Sequence, residues 1–253
     1  MQRYFIQLSY NGTAYHGWQT QENTRKTVQL IINTMLSQLL NEAIIVTGCG
    51  RTDTGVHATN FYAHFDSLKD DLHINQDKWV FKFNHALPAD IAIQKIYKVG
   101  EKANARFDAI ARTYQYIINK KKDPFKIDQA CFLYGDVDIE KMNQATKLLF
   151  NYIDFSSFAK SNTQTHTNNC KLYKAEWKVE NDLLIFTISA DRFLRNMVRS
   201  IVGTLLDVGR GRTSIEEFKK IIESKSRSNA GFSAHAGGLY LTKVEYPEGY
   251  LKD

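Results

Sequence analysis

The sequence is poor in cysteine and proline: three of each occur in 253 residues. Cys49, Cys131 and Cys170 are odd in number, widely separated and form no C-x-x-C pair. That excludes a disulfide framework and a cysteine zinc site, and suits a reducing compartment. With so few prolines and a hydrophobic fraction of 43%, no long disordered segment or low-complexity linker is expected. No run of about 18 apolar residues occurs, so no membrane partner is expected. The stretch from Met1 to Gln7 lacks the apolar core of a signal peptide, and the expectation is a soluble cytoplasmic protein. No glycine-rich loop follows a strand and opens a helix, so no nucleotide cofactor is assigned.

What the sequence has is positive charge: a net +6 and an isoelectric point near 9.0. This balance favours a polyanionic partner, although lysine and arginine also serve as solvated surface. The length allows one large domain or two closely packed ones.

Periodicity gives the elements in order. Arg3–Tyr10 alternates as a strand and ends at the turn pair Asn11-Gly12. Val28, Ile31, Ile32, Met35, Leu36, Leu39 and Leu40 recur at helical spacing behind Thr27 as the cap. Strands are expected at Ile44–Val46, Phe61–Phe65 and Ile91–Val99. A helix over Asn75–Leu87 is expected to turn Trp79, Val80, Phe83 and Leu87 inward and to stop at Pro88.

The second half repeats this order: a strand at Ala111–Asn119, a helix at Asp138–Phe150, and strands at Cys170–Glu180 and Leu183–Ala190. In the third of these, Lys171, Lys174, Glu176 and Lys178 mark a solvent face, with Tyr173, Ala175, Trp177 and Val179 opposite. A very apolar helix from about Leu194 to Val208 carries Arg195 and Arg199 on a face shared with aliphatics. Arg199 is expected to meet a carboxylate or a carbonyl cluster, because an unpaired cation there is costly. Ser214-x-x-Glu217 is a capping box, and Leu239–Tyr246 closes the chain as a strand. The expected fold is α+β, with two ferredoxin-like halves, 1–105 and 106–253, contributing to a mixed, mainly antiparallel sheet.

One loop concentrates chemistry. Gly48-Cys49-Gly50-Arg51-Thr52-Asp53-Thr54-Gly55-Val56-His57-Ala58 sets three different ionisable groups among glycines, which permit positive φ or close backbone approach. Asp53 is either a reactive carboxylate on a fixed backbone or a turn residue paired with Arg51. The aromatics of Tyr15-His16-Gly17-Trp18-Gln19 either pack as core cover or line a groove for bases. Asp53, His57 and His64 lack a tight His-x-x-x-His spacing, and no metal is assigned.

Gly50-Arg51-Thr52-Asp53-x-Gly55-Val56-His57 resembles the signature of the TruA family of transfer RNA pseudouridine synthases. The resemblance continues through Tyr10-Asn11-Gly12, Tyr15–Gln19, Ala105-Arg106-Phe107, Ala111–Tyr116, Met197-Val198-Arg199-x-Ile201-Val202-Gly203 and Gly238-Leu239-Tyr240-Leu241, in order over nearly the whole chain. It implies the pseudouridine synthase fold with a cleft between its halves, and a cofactor-independent isomerase acting on uridines 38, 39 and 40 in the anticodon stem and loop of tRNA as a homodimer. The reaction breaks the bond from ribose to N1, turns the base and rejoins it through C5, without redox change. The carboxylate acts as a nucleophile on base or ribose, or takes a ribose proton.

By the same resemblance, Asp53 is the catalytic carboxylate and Arg199 its basic partner. Tyr114 stacks on the flipped uracil, where its alternative role is core packing. Arg51 contacts the surroundings of the flipped nucleotide, and Arg106 and Phe107 belong to an RNA-contacting segment. Lys122, in Lys120-Lys121-Lys122, is either a phosphate contact or a solvated turn. His166, in the polar loop Ala159–Asn169, stands where the family has an arginine, which makes that phosphate contact weak, pH-conditional or absent. Two rival readings are a noncatalytic structured-RNA-binding protein of the same fold and a metal-dependent nuclease using Asp53 and His57.

Overall fold

The computed structural model describes residues 1–160 and 166–251. Among them the order is β1 (Gln2–Tyr10), α1 (Val28–Leu40), β2 (Thr47–Gly48), β3 (His57–Ser67), α2 (Gln76–Ala86), β4 (Ile91–Lys98), β5 (Ala111–Asn119), β6 (Cys131–Phe132), α3 (Ile139–Leu148), β7 (Leu172–Glu180), β8 (Leu183–Ala190), α4 (Met197–Gly209), α5 (Ile215–Glu223) and β9 (Leu239–Glu245). The α+β class expected from the sequence is present. The chain divides into two compact units, Met1–Ala111 with the segment from Leu241 onward, and Arg112–Tyr240.

In the first unit β1 lies between β4 and β3 and is antiparallel to both. The short β2 pairs antiparallel with β3 through Thr47↔His64 and Gly48↔Ala63. A β-α-β-β-α-β order with strands arranged β4-β1-β3 and β2 on β3 is the ferredoxin-like arrangement. Tyr4, Phe5, Ile6 and Leu8 of β1 are fully buried, which fits a central strand, and Phe61 and Phe65 of β3 join them.

In the second unit β8 lies between β5 and β7, again antiparallel to both, and β6 pairs parallel with β5. Apart from the two-residue β6 between β5 and α3, strand, helix, strand, strand, helix follow one another here as in the first unit. Buried Met142 of α3, most of α4, and Phe218 and Ile222 of α5 form the helical side of its core. The capping box read from Ser214 and Glu217 is present in both directions.

Four local expectations need correction. Ile44–Val46 is not a strand. Its backbone is satisfied by side chains of α1: Ser37 Oγ accepts from Ile44 N–H, Asn33 Oδ1 from Val46 N–H, and Gln29 Nε2 donates to the Val46 carbonyl, at 2.8–2.9 Å. Thr27 occupies the N-cap of α1 but its buried hydroxyl makes no cap bond. The first amides of α1 are taken by backbone instead, Val28 N–H by the Gly17 carbonyl and Gln29 N–H by that of Trp18. Arg195 precedes α4, which starts after Asn196 in the left-handed region at φ 66°. Tyr173 and Val179 of β7 stay half exposed because β7 ends its run of strands; only Trp177 on that face is buried. Its solvent face is as expected, with Glu176 between Lys174 and Lys178 at 2.8 and 3.0 Å.

Candidate active site

Two loops and one strand of the first unit converge on the backbone around Asp53. Trp18 is buried and stacks on Phe61 of β3 with ring centroids 4.1 Å apart, and Tyr10 packs edge-on to Phe61. A Cβ on Gly48 would lie 2.6 Å from the Trp18 indole, so glycine is required there by close packing. The Tyr15–Gln19 aromatics therefore pack as core rather than line a groove. They hold the loop: Trp18 N–H donates to the Thr52 carbonyl at 3.2 Å and Gly55 N–H to the Tyr15 carbonyl at 3.2 Å.

Thr52 is tied a second way, its hydroxyl lying 2.8 Å from the Tyr10 phenol in a buried contact. Val56 N–H closes a turn onto the Asp53 carbonyl at 3.1 Å, with Gly55 at φ 76°. Buried His57 accepts the Gly12 N–H at Nδ1, 3.1 Å, which joins the end of β1 to the end of the loop. That bond gives the ring a structural task. Asp53 itself is half-buried and Arg51 exposed, both on a backbone held at Thr52, Gly55 and His57.

A second loop of the same unit carries Arg106 and Phe107. The Arg106 guanidinium lies 5.6 Å from the Phe107 ring, and Phe107 is 77% exposed while Ala105 beside it is fully buried.

Tyr114, Lys122, His166 and Arg199 belong to the second unit. Tyr114 is half-buried on β5, opposite Ile188, and meets Phe193 edge-on at 5.1 Å. Arg199 is half-buried on α4; its Nε donates to the Ala234 carbonyl at 2.6 Å, while Ala234 N–H returns a bond to the Arg199 carbonyl. The carbonyl partner expected for this cation is thus found. The 231–235 segment can lie this close because Gly203 has no Cβ; one built there would stand 1.8 Å from the Phe232 carbonyl oxygen. Tyr116 is buried beneath, donating to the His235 carbonyl at 2.9 Å; burial pushes its phenol far up, with the Arg199 charge pulling the other way.

Lys122 and His166 are exposed. Part of the polar loop around His166, residues 161–165, lies outside the described residues. Among the described residues no group of three histidines, cysteines or acids is placed to hold a metal ion, and no helix is long and apolar enough to cross a membrane.

Sequence reasoning missed Tyr10 and Thr52 as supports. Tyr10 and Thr52 lie within quoted motifs, but a hydroxyl pair across 42 residues has no local signature.

An α+β chain of this topology whose residues 147–247 match the family described as tRNA pseudouridine synthase falls in the class of pseudouridine synthases. It is 49% identical over 251 residues to tRNA pseudouridine synthase A of Parabacteroides distasonis, spanning 98% of this chain and 97% of that one. Identity to the Bacteroides fragilis protein of the same name is 49% over 249 residues, covering 98% of both chains. With that of Azobacteroides pseudotrichonymphae it is 47% over the full length of both. The chain belongs to the tRNA pseudouridine synthase A family.

Proposed function

We propose that this chain isomerises uridine to pseudouridine at positions 38, 39 and 40 in the anticodon stem and loop of tRNA, with Asp53 as the catalytic carboxylate and no cofactor. The observation that carries the reading is family membership over essentially the whole chain, joined to a loop that holds Asp53 by hydrogen bonds on both sides. A carboxylate that must act while ionised requires a fixed backbone and a nearby cation. Arg199, whose Nε donates to the Ala234 carbonyl, is the cation assigned to that task. Tyr114 supplies the planar face for the flipped uracil, and its phenol also serves in proton transfer at C5.

Arg51, exposed at the loop apex, takes the wedge or phosphate contact beside the flipped nucleotide. Arg106, Phe107, Lys122 and His166 extend the contact along the RNA, with His166 contributing charge only when protonated. The enzyme works in the cytoplasm as a homodimer, with one RNA spanning both subunits. The catalytic loop sits in the N-terminal half, 1–105, and Tyr114 and Arg199 in the C-terminal half, 106–253.

The test is incubation of the purified chain, with chelator and without cofactor, with unmodified tRNA, followed by mapping of pseudouridine. The expected product is pseudouridine at positions 38–40, lost in Asp53→Ala and in Arg199→Ala while both variants still bind tRNA. Binding without product from the unsubstituted chain overturns the enzyme reading in favour of a structured-RNA-binding protein. Full turnover in a folded Arg199→Ala removes the pairing, and sedimentation as a monomer removes the dimer.

A further inference from the structure

The segment from Ala103 to Asp108 is held on every side by groups the proposed chemistry does not use. His64 of β3 is buried, lies 5.8 Å from the Phe5 ring in a stacked arrangement, and accepts the Ala105 N–H at Nδ1, 3.1 Å. Arg3 of β1 forks onto Asp66 at 2.7 and 2.8 Å, and its third bond goes to the Ala103 carbonyl at 3.0 Å. Tyr246 donates its hydroxyl to the Ala105 carbonyl at 2.7 Å. Asn104 Oδ1 accepts the amides of both Arg106 and Phe107, at 3.0 and 3.1 Å, and Asp108 Oδ2 accepts the Asn104 N–H at 2.7 Å.

The outcome of this fastening is outward. Ala105 is driven fully into the core, and its neighbour Phe107 stands 77% exposed with the Arg106 guanidinium 5.6 Å from its ring. A single exposed apolar residue is ordinary. An exposed aromatic whose backbone amide, and those of both preceding residues, are each bound to a side chain is different. The backbone that carries the ring is settled before any partner arrives, which lowers the ordering cost of stacking a base on it.

We propose that His64 is a positioning residue for RNA: through Ala105, and with Arg3 and Asp66 holding Ala103, it presents Phe107 and Arg106 as a preformed stacking face for an unpaired nucleotide of tRNA. The inference rests on the tRNA reading above. It predicts coupling between a buried imidazole and an exposed ring that do not need to touch.

The test is a double-variant cycle in the full chain, read as KM and kcat on unmodified tRNA and as tRNA affinity by filter binding. Phe107→Ala is expected to raise KM and weaken binding about tenfold, with kcat changed less than about twofold. His64→Leu is expected to do the same, and the double variant to be no worse than Phe107→Ala alone. His64→Asn, which puts an acceptor oxygen near the place of Nδ1, is expected to restore affinity. Where His64→Leu fails to fold, Asn104→Ala, which removes the acceptor of two amides in a half-buried turn, takes its place in the cycle with the same expectation.

Unchanged affinity in Phe107→Ala overturns the stacking face. Loss in Phe107→Ala with multiplicative loss in the double variant overturns the positioning role. If the unsubstituted chain binds tRNA but makes no pseudouridine, the filter-binding cycle still decides this proposal, so its failure and that of the catalytic reading are distinguishable.

Discussion

The hydroxyls of Tyr10 and Thr52 meet 2.8 Å apart in a buried contact, one residue before the proposed catalytic carboxylate. Tyr10→Phe removes the phenolic hydroxyl and leaves the hydroxyl of Thr52, a residue only 7% exposed, short of that partner. Such a loss costs about 1–3 kcal/mol. The expected outcome is a lower melting temperature together with kcat reduced about tenfold at unchanged KM, since a small displacement of Asp53 acts on the reacting geometry rather than on RNA affinity. Reduced stability with unchanged kcat would make the contact structural only.

Two glycines near Asp53 differ in what they permit. Gly17 has φ +88°, and a Cβ there would lie 2.5 Å from the Thr52 carbonyl oxygen; around Gly50 nothing lies within 4 Å of a built Cβ. Gly17→Ala should therefore destabilise by about 2 kcal/mol or more, whereas Gly50→Ala should stay within about 0.5 kcal/mol. Urea midpoints of the two variants measure the difference, and equal midpoints would refute it.

The lysine run divides as well. Lys121 reaches Asp182 at 3.0 Å, so part of its field is already answered, while Lys122 is exposed beside it. If Lys122 neutralises one phosphate, Lys122→Ala lowers the slope of log affinity against log salt by about 0.7–0.9. Lys121→Ala should lower it less. An unchanged slope in Lys122→Ala returns the residue to the solvated surface.

Burial, and next the charge of Arg3, push the His64 imidazole below its ordinary value of 6.5, while Asp66 and Asp108 pull weakly upward. The folded chain thus binds this proton less readily than the unfolded chain does. The sign follows: the contribution is complete above about pH 6.5 and is lost as pH falls from there through the lower folded value. Melting temperature should drop on acidification through this range more steeply in the unsubstituted chain than in His64→Asn. Parallel pH profiles would show that His64 does not carry the effect.

Strand β5 and strand β8 were read at their observed ends, and α1, α2, β4 and β9 within a residue or two, because alternation and helical spacing are local properties of the chain. Two of the corrections share a cause. Ile44–Val46 has strand composition, yet Gln29, Asn33 and Ser37 of the preceding helix consume its backbone groups. Thr27 has cap chemistry, yet the Gly17 and Trp18 carbonyls reach the helix amides first. Each is a competition between a local partner and a distant one, and spacing reveals only the local contender.

The site divides the same way. Residue order alone identified the family through the words around Asp53, Tyr114 and Arg199, and spacing alone identified the loop as a cluster of ionisable groups among glycines. Only the tertiary structure decided that Trp18 packs beneath that loop, that Tyr10 and His57 brace it, and that His64, Arg3 and Asp66 fasten the segment bearing Phe107. The side-chain hydrogen bonds among them join residues 41 to 100 positions apart in the chain. Their existence depends on strand register, which sets which side chains share a face, and register is determined by the packing of the whole unit rather than by any one stretch of it.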